Sequence, residues 1–256
     1  MAEKLSAVII TFNEEKNIAR CLDSLEGVVD EIVVVDSFSK DNTKQICLDR
    51  GARFIENPFE GHIEQKNFAM MQAENDYVLS LDADEALSEN LKKSILEAKK
   101  NLNHDAYTFN RLTNYCGQWI KHCGWYPDRK LRIWNKTKGK WGGENPHDMV
   151  LMENGTSSEY LKGDLLHYSY YTINDHSRQI ELFTDISSKA AFAKGKRTNK
   201  LAIVFKPAFK FFRDYIFKLG ILDGYYGFVI SVNSAHAKFL KYHKIYELQR
   251  KQKAES

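Results

Sequence analysis

Two aspartates separated by one residue stand directly after an apolar run. The segment YVLSLDADE places Asp82 and Asp84 at the end of a predicted buried strand, residues 77–81. Two carboxylates at this spacing can share Mg²⁺ or Mn²⁺, which prefer oxygen ligands and leave coordination positions open for phosphate. Such a pair also occurs by chance in solvated turns, so its position after a strand is what favours a metal site for a diphosphate.

A further carboxylate, Asp36, ends a second apolar run, residues 31–35. A carboxylate at this position can accept hydrogen bonds from a uracil ring or a ribose. Asp41, in the polar loop that follows, is equally typical of a turn or helix-capping residue. We therefore predict a nucleotide contact for Asp36 and leave Asp41 open.

An α/β domain would bring these carboxylates together. In about the first hundred residues, apolar runs alternate with amphipathic stretches, and Asn13 is predicted to cap the first helix. This alternation predicts a mainly parallel central sheet with helices on both faces. Because ligands bind beyond the carboxyl ends of such strands, we expect residues 11–14, 36 and 82–84 to face one crevice.

The following segment, residues 105–168, is richer in aromatic residues and has β-like runs at 106–112, 130–135 and 160–166. We interpret it, with its glycine-rich turn at 141–148, as mixed structure that completes the same domain. Alternation along the second run places Lys130 and Arg132 on one face. These cations, with the adjacent Arg129, can bind diphosphate or form a solvated surface.

Charge is distributed unevenly along the chain. Residues 189–253 carry 15 Lys/Arg and 3 acids (+12), residues 1–188 carry 22 and 30 (−8), and Glu255 adds −1, which gives the net charge of +3. After Pro207, apolar residues recur at helical spacing between basic ones. The pattern predicts an amphipathic helix on an anionic membrane surface, or a core-packed helix with a wet basic side. Without a nucleic-acid motif, and with an acidic body, nucleic acid is not the expected partner.

Targeting and redox features predict a cytoplasmic protein, peripheral on the inner face of the cytoplasmic membrane. No stretch approaches the roughly 20 apolar residues needed to cross a bilayer. The apolar run near the N-terminus has six residues, too few for a signal peptide. The four cysteines form no CxxC pair, so we expect reduced thiols.

An ordered set of segments resembles glycosyltransferase family 2, which has the GT-A fold. These segments are AVIITFNEEKNIARCLDSL, EIVVVDSFSKDNT, the tripeptide at 65–67 and YVLSLDADE. The segment YPDRKLRIWN and the turn ending at His147-Asp148 resemble the lipopolysaccharide-core β-glycosyltransferase subgroup. The resemblance implies a GT-A catalytic domain over residues 1–175, with a donor half at about 1–100 and an acceptor half at about 101–175. A basic helical region would follow at 176–256.

The activity that the resemblance implies is an inverting, metal-dependent transfer from a nucleotide-sugar, expected to be a UDP-sugar. The acceptor would be a saccharide hydroxyl of a lipopolysaccharide core or another lipid-linked glycan. Carried over by position, the nucleotide contacts would be Thr11, Asn13, Glu14 and Asp36, with Lys66 near the nucleotide or phosphates, Asp82 near the ribose and Asp84 on the metal.

Three further residues have open roles. A late histidine, His167, either completes the metal site through a neutral ring nitrogen or is a core or interface residue. The general base that removes the acceptor proton is expected to be Asp148, with Glu144 as the alternative.

Two other functions are compatible with parts of the pattern. A nucleotidyltransferase would also use a nucleotide, carboxylates and Mg²⁺, but it needs a glycine-rich phosphate loop, and TFNEEKN has no glycine. A non-catalytic membrane adaptor on the same fold would bind liposomes without any affinity for nucleotides.

Overall fold

The structure is a computed structural model that describes the backbone of residues 3–144 and 147–255, and their side chains except those of residues 144, 147 and 255. The chain separates into two compact units. The first unit runs to Leu112 and resumes over Asp128–Tyr168. The second unit comprises Thr113–Pro127 and the chain from Ser169 onward. The predicted domain division after residue 175 stays a prediction.

The described strands are β1 (Leu5–Thr11), β2 (Glu31–Asp36), β3 (Arg53–Glu56), β4 (Tyr77–Asp82), β5 (Glu85–Leu87), β6 (Ala106–Tyr115), β7 (Gln118–Ile120), β8 (Asp128–Asn135), β9 (Gly139–Glu144), β10 (His147–Met152) and β11 (Ser158–Tyr170). The described helices are α1 (Ile18–Asp23), α2 (Thr43–Asp49), α3 (His62–Gln72), α4 (Glu89–Lys99), α5 (Ile173–Ala193), α6 (Lys200–Phe212) and α7 (Gly224–Glu255). Between α6 and α7 lie a π-helical turn, Arg213–Phe217, and a 3-10 turn, Gly220–Asp223.

One sheet forms the centre of the first unit, with the strand order β3-β2-β1-β4-β8-β6-β11-β5. Strand β1 pairs in parallel with β2 and β4, and β2 pairs in parallel with β3. Strand β8 is antiparallel to β4 and β6. The apolar runs of β1, β2 and β4 are buried because both faces of the parallel half are covered. The predicted α/β class is therefore confirmed.

Two local predictions differ from the structure. The cap predicted at Asn13 is wrong, because α1 begins only at Ile18. Asn13 instead adopts a left-handed backbone with φ 55°, which short polar side chains tolerate, and its carbonyl oxygen Oδ1 accepts from the Lys40 backbone N–H at 2.9 Å. The glycine-rich segment predicted as a turn contributes to the antiparallel pair β9–β10.

The second unit is mainly helical, as predicted for the C-terminal region. Its short strand β7 pairs antiparallel with the last residues of β6. Helix α5 begins with a capping box between Thr172 and Asp175. The small hydrophobic core of the second unit contains Tyr115, Ile120 and Ile230.

Among the described helices, none is by itself both long and apolar enough to cross a membrane. The segments Lys200–Phe217 and Gly220–Ala254 meet the criterion of length and composition only as a pair, and they are bent by 71° at the break between them.

Candidate active site

The carboxyl ends of three parallel strands place polar residues side by side at one edge of the first unit's sheet. Thr11 at the end of β1 lies opposite Asp36 at the end of β2. On its other side β1 pairs with β4, where Ile10 lies opposite Asp82. The strand pairing thus brings together the ends that sequence reasoning assigned to one crevice.

Asp36 is buried and fixed by its neighbours. Its Oδ1 atom accepts hydrogen bonds from the Thr11 hydroxyl at 2.8 Å and from the Ser39 hydroxyl at 2.6 Å. Its Oδ2 atom accepts from the Ser39 backbone N–H at 2.6 Å. Three donors on one carboxylate hold the loop after β2 against the end of β1.

The loop after β1 is tied to the same region. The Asn13 backbone N–H donates to the Ser39 hydroxyl at 2.7 Å, and the Glu14 backbone N–H donates to the Thr43 hydroxyl at 2.8 Å. Burial raises the pKa of Glu14, a hydrogen bond from Asn17 opposes that rise, and the negative charges of nearby acids add to it. Glu14 is therefore a carboxyl group held where its negative charge is disfavoured.

A lysine from helix α3 joins two carboxylates of different elements. The Lys66 ammonium lies 3.1 Å from Asp82 Oδ1, at the end of β4, and 2.8 Å from Asp148 Oδ2, in β10. It also lies 4.4 Å from the centre of the Trp141 ring, which gives a cation–π contact. The structure thus brings together three residues predicted for the nucleotide, the ribose and the base.

A buried arginine approaches the same carboxylate from β8. Arg132 Nη2 lies 3.3 Å from Asp82 Oδ2 and 2.7 Å from Glu85 Oε1. The side chains of Arg132 and Glu85 are only 4% and 0% exposed. Among the described residues, Arg132 Nε and Nη1 have no hydrogen-bond acceptor. Two buried donors are therefore available beside Asp82.

The balance of charges decides the protonation of this network. Burial acts to raise the pKa of Asp82, but Lys66 and Arg132 outweigh it and hold that pKa well below its usual range. For Arg132, burial acts to lower the pKa, and the carboxylates of Glu85 and Asp82 reverse the effect. Asp82 is therefore an anion and Arg132 a cation at neutral pH.

The other carboxylate of the DxD segment faces a different partner. Asp84 Oδ2 lies 3.2 Å from His167 Nε2, which β11 supplies. Among the described residues, His167 Nδ1 is buried without a partner, and no cluster of three or more His, Cys, Asp or Glu side chains could hold a metal. An imidazole nitrogen and a carboxylate oxygen are suitable ligands for Mn²⁺ or Mg²⁺. Asp82, in contrast, forms ion pairs with Lys66 and Arg132.

A cleft of about 570 Å³ opens in the first unit beside this network. Its lining includes Lys66, Asp82, Arg132, Trp141 and Asp148. A polar cavity of this size, with an aromatic wall and paired charges, suits a polar ligand of several rings.

Two members of the network were not predicted from sequence. Glu85 follows Asp84 directly, and this adjacency was the available signal. Trp141 lies in the glycine-rich segment and had no distinguishing signal. The side chain of Glu144, the alternative base, lies outside the described residues.

Comparisons with known proteins identify the family of this chain. The family described as glycosyl transferase family 2 matches residues 6–195. An uncharacterised glycosyltransferase of Rickettsia typhi is 30% identical over 97% of this chain and 89% of its own length. The lipopolysaccharide core biosynthesis glycosyltransferase LpsC of Rhizobium meliloti is 29% identical over 95% of this chain and 92% of its own length.

Among solved structures, the chain is similar to glucosyl-3-phosphoglycerate synthase from Mycobacterium tuberculosis, crystallised with Mn²⁺, UDP and glucosyl-3-phosphoglycerate. That similarity has a TM-score of 0.36 at 23% identity and covers 44% of each chain. The family match and the relatives that share almost the whole length confirm the family resemblance seen in the strand-end motifs. The chain belongs to glycosyl transferase family 2 and is a glycosyltransferase.

Proposed function

We propose that this glycosyltransferase moves a sugar from a nucleotide-sugar, in the first place a UDP-sugar, to a saccharide hydroxyl with inversion at the anomeric carbon. The acceptor is a lipopolysaccharide core or another lipid-linked glycan, and the partner surface is the anionic inner face of the cytoplasmic membrane. The observation that carries the proposal is the bridge from Asp82 through Lys66 to Asp148. It joins a strand-end carboxylate suited to the donor with a carboxylate suited to be the base.

On the donor side, the residues proposed to contact the nucleotide are Thr11, Asn13, Glu14 and Asp36. Their support is the set of hydrogen bonds that ties the loops after β1 and β2 together. A ribose offers hydroxyl donors and a uracil ring offers an N–H, and carboxylates and amide oxygens accept from both. Asp82 and Lys66 would then lie toward the ribose and phosphates.

A divalent ion fits the residues beside Asp82. Asp84 and His167 would hold Mg²⁺ or Mn²⁺, because their facing oxygen and nitrogen atoms are suitable ligands and the buried Nδ1 of His167 leaves Nε2 to face the site. When bound, the ion neutralises charge on the leaving diphosphate. Arg132, whose Nε and Nη1 donors have no acceptor in the described part of the chain, supplies further positive charge from the protein itself.

The reaction is a single displacement. The acceptor oxygen forms a bond to the anomeric carbon while the bond from that carbon to the diphosphate oxygen breaks, and the electron pair leaves with the diphosphate. The acceptor proton passes to a carboxylate oxygen of Asp148, or of Glu144 as the alternative base. Lys66 keeps Asp148 in place beside the cleft. Inversion means that an α-linked donor gives a β-linked product.

The first experiment is calorimetric titration of UDP with and without Mn²⁺, on the intact protein and on Asp84→Asn. We expect Mn²⁺-dependent binding that Asp84→Asn abolishes. Asp49→Asn, which changes an exposed carboxylate on α2, serves as the matched control and should bind as the parent does.

The outcomes separate the possible functions. Failure of UDP to bind leads to the same titration with GDP, CDP and dTDP. Absence of binding to all four nucleotides would contradict sugar transfer and favour the adaptor. Binding of UDP that does not depend on Mn²⁺ would contradict the proposal that Asp84 and His167 hold a divalent ion.

A further inference from the structure

We propose that one face of the second unit inserts into the interfacial layer of an anionic lipid bilayer. The face consists of the exposed apolar side chains of residues 201–225, and we call it the docking face. It runs along α6, through the π-helical and 3-10 turns, to the start of α7. The inference rests on the membrane partner of the proposed function and names the surface that contacts it. Its test requires neither nucleotide nor acceptor, so membrane binding and sugar transfer can fail separately.

Helix α6 carries an apolar stripe that the rest of the second unit does not cover. Phe205, Phe209 and Phe212 are 66%, 63% and 56% exposed, and Leu201 and Val204 are exposed to a similar degree. These positions recur every three or four residues and therefore lie on one side of the helix. The opposite side packs, as the buried Ile203 shows.

The bend between α6 and α7 extends this apolar surface. Phe217 is 74% exposed, and Leu219, Leu222 and Tyr225 are also exposed. The two helical segments meet here at 71°. A bent helix pair whose corner is apolar can enter the headgroup boundary without crossing the bilayer, and a tyrosine at its edge suits that boundary.

Charge complementarity identifies the occupant as an anionic surface. Residues 200–246 contain 8 Lys/Arg and only two acids, Asp214 and Asp223. Both acids are buried. The described surface of this segment therefore presents basic and apolar groups without an exposed carboxylate.

Each of these acids is also bonded to partners within the unit. Asp214 accepts from the ammonium of Lys210 and from Arg213 Nε, the latter at 2.9 Å. Asp223 accepts from the His122 backbone N–H at 2.7 Å and lies 2.8 Å from the His122 ring nitrogen Nδ1. Both carboxylates are therefore hydrogen-bonded inside the unit and not exposed to an anionic headgroup.

A second copy of the chain is a less suitable occupant. Two docking faces brought together would oppose basic residues to basic residues, and like charges held in contact destabilise an interface. Anionic lipids instead offer apolar tails to the phenylalanines and negative headgroups to the lysines. Soluble monomers rarely expose so extended an apolar patch without a partner.

The test is flotation of the full-length protein with vesicles of phosphatidylcholine alone or mixed with phosphatidylglycerol. We expect binding to the mixed vesicles that weakens as salt is raised. The triple variant Phe205→Ser/Phe209→Ser/Phe212→Ser should reduce partitioning by about a hundredfold, since each half-exposed phenylalanine contributes roughly a factor of five. Lys200→Gln/Lys218→Gln should lose roughly fivefold per removed cation on the anionic vesicles.

The matched control is Leu182→Ser/Phe183→Ser/Ile186→Ser, which removes three exposed apolar side chains from α5 of the same unit. We expect it to float as the parent does, and circular dichroism is used to check that every variant is folded. Equal losses in both triple variants would overturn the docking face. Absence of flotation, together with a dimer in light scattering that the phenylalanine variant dissociates, would overturn it in favour of a second copy.

Discussion

The two units place charged and apolar side chains in opposite ways. In the first unit, Arg132 and Glu85 form an ion pair that is almost completely buried. In the second unit, large apolar side chains such as Phe205 and Phe217 are mostly exposed. Folded proteins normally bury apolar groups and expose charges, so each unit departs from the rule in its own direction. Each departure coincides with a surface for which a different ligand is proposed.

The comparison also shows how each departure is tolerated. A buried charge costs several kcal/mol unless a partner of opposite sign and hydrogen bonds compensate it, which is the arrangement of Arg132 and Glu85. An exposed apolar patch causes association unless something covers it. The first unit therefore has internal compensation, whereas for the second we propose an external partner.

The largest expected effect is a loss of catalytic rate in a first-unit variant that leaves membrane binding by the second unit unchanged. Asp148→Asn should lower kcat by roughly 10²–10⁴-fold, because the amide accepts no proton. The variant should still bind UDP and float with vesicles as the parent does. Steady-state kinetics, with titration and flotation in parallel, measures all three properties.

Glu144→Gln is the companion variant in the same assay. A large kcat loss in Glu144→Gln, with Asp148→Asn still active, would move the base to Glu144. Loss of vesicle binding in Asp148→Asn would contradict the separation of the two regions.

A second prediction concerns the buried ion pair. Arg132→Met should reduce the free energy of unfolding by about 3–5 kcal/mol, because Glu85 would remain buried without its closest cation. Urea unfolding followed by circular dichroism measures the change. Lys138→Met, which breaks the more exposed pair with Asp105, is the control and should change the stability much less, because water screens an exposed ion pair.

The double variant Arg132→Met/Glu85→Gln tests the reason for that cost. Removing the charge that has lost its closest cation should recover part of the loss, since the neutral amide is less costly to bury. A cost below about 1 kcal/mol for Arg132→Met alone would show that the network is not held by this arginine.

A third prediction concerns the core of the second unit. His176 is buried, its Nδ1 lies 3.0 Å from the Tyr115 hydroxyl, and burial lowers its pKa to about 4. The unfolded chain takes up this proton near pH 6.5, whereas the folded chain does so only near pH 4, so stability falls as the pH drops through that window. At pH 5 the loss from this group is about 2 kcal/mol.

His176→Phe keeps an aromatic ring and removes the titration. Thermal unfolding at pH 7 and pH 5 should show a smaller loss on acidification in this variant than in the parent. The control is His243→Gln, at a partly exposed position, and it should keep the parent's pH dependence. An unchanged loss in His176→Phe would assign the acid sensitivity to other groups.

Much of the donor side was predictable from sequence. Strands covered on both faces consist of nearly continuous apolar runs, so the ends of β1, β2 and β4 could be located from where several polar residues follow. Parallel strands place those ends at one edge, and the register confirms that Thr11, Asp36 and Asp82 lie on neighbouring strands.

The contacts across the cleft were not predictable in the same way. Lys66 and Asp148 are 82 residues apart, and their ion pair depends on how β10 folds back on β9. The glycine-rich segment lacks the β-branched residues that would identify a strand. Similarly, helical periodicity predicted the stripe after Pro207, but only the structure shows which side of α6 is covered.

The smallest expected effect concerns Glu14, whose pKa is raised mainly by burial and also by nearby carboxylates such as Asp84. A raised pKa means that the ionised form is less favourable in the folded chain than in the unfolded chain. Glu14→Gln should therefore increase stability at pH 7 by about 0.5 kcal/mol or more. The gain should shrink as the pH falls through the raised pKa of Glu14 and vanish below the ordinary glutamate pKa, where Glu14 is protonated in both states.

The same substitution should weaken UDP binding by about tenfold or less, the loss expected for one hydrogen bond. Chemical denaturation at pH 7 and pH 4, with titration of UDP, measures both properties, and Glu97→Gln on the exposed side of α4 is the control. Lower stability at pH 7 would show that the ionised carboxylate has a favourable partner in the folded chain. A gain in stability together with weaker UDP binding would instead show that Glu14 contributes to ligand binding at a cost in stability. The ionised carboxylate is unfavourable in the folded chain but useful to the nucleotide site.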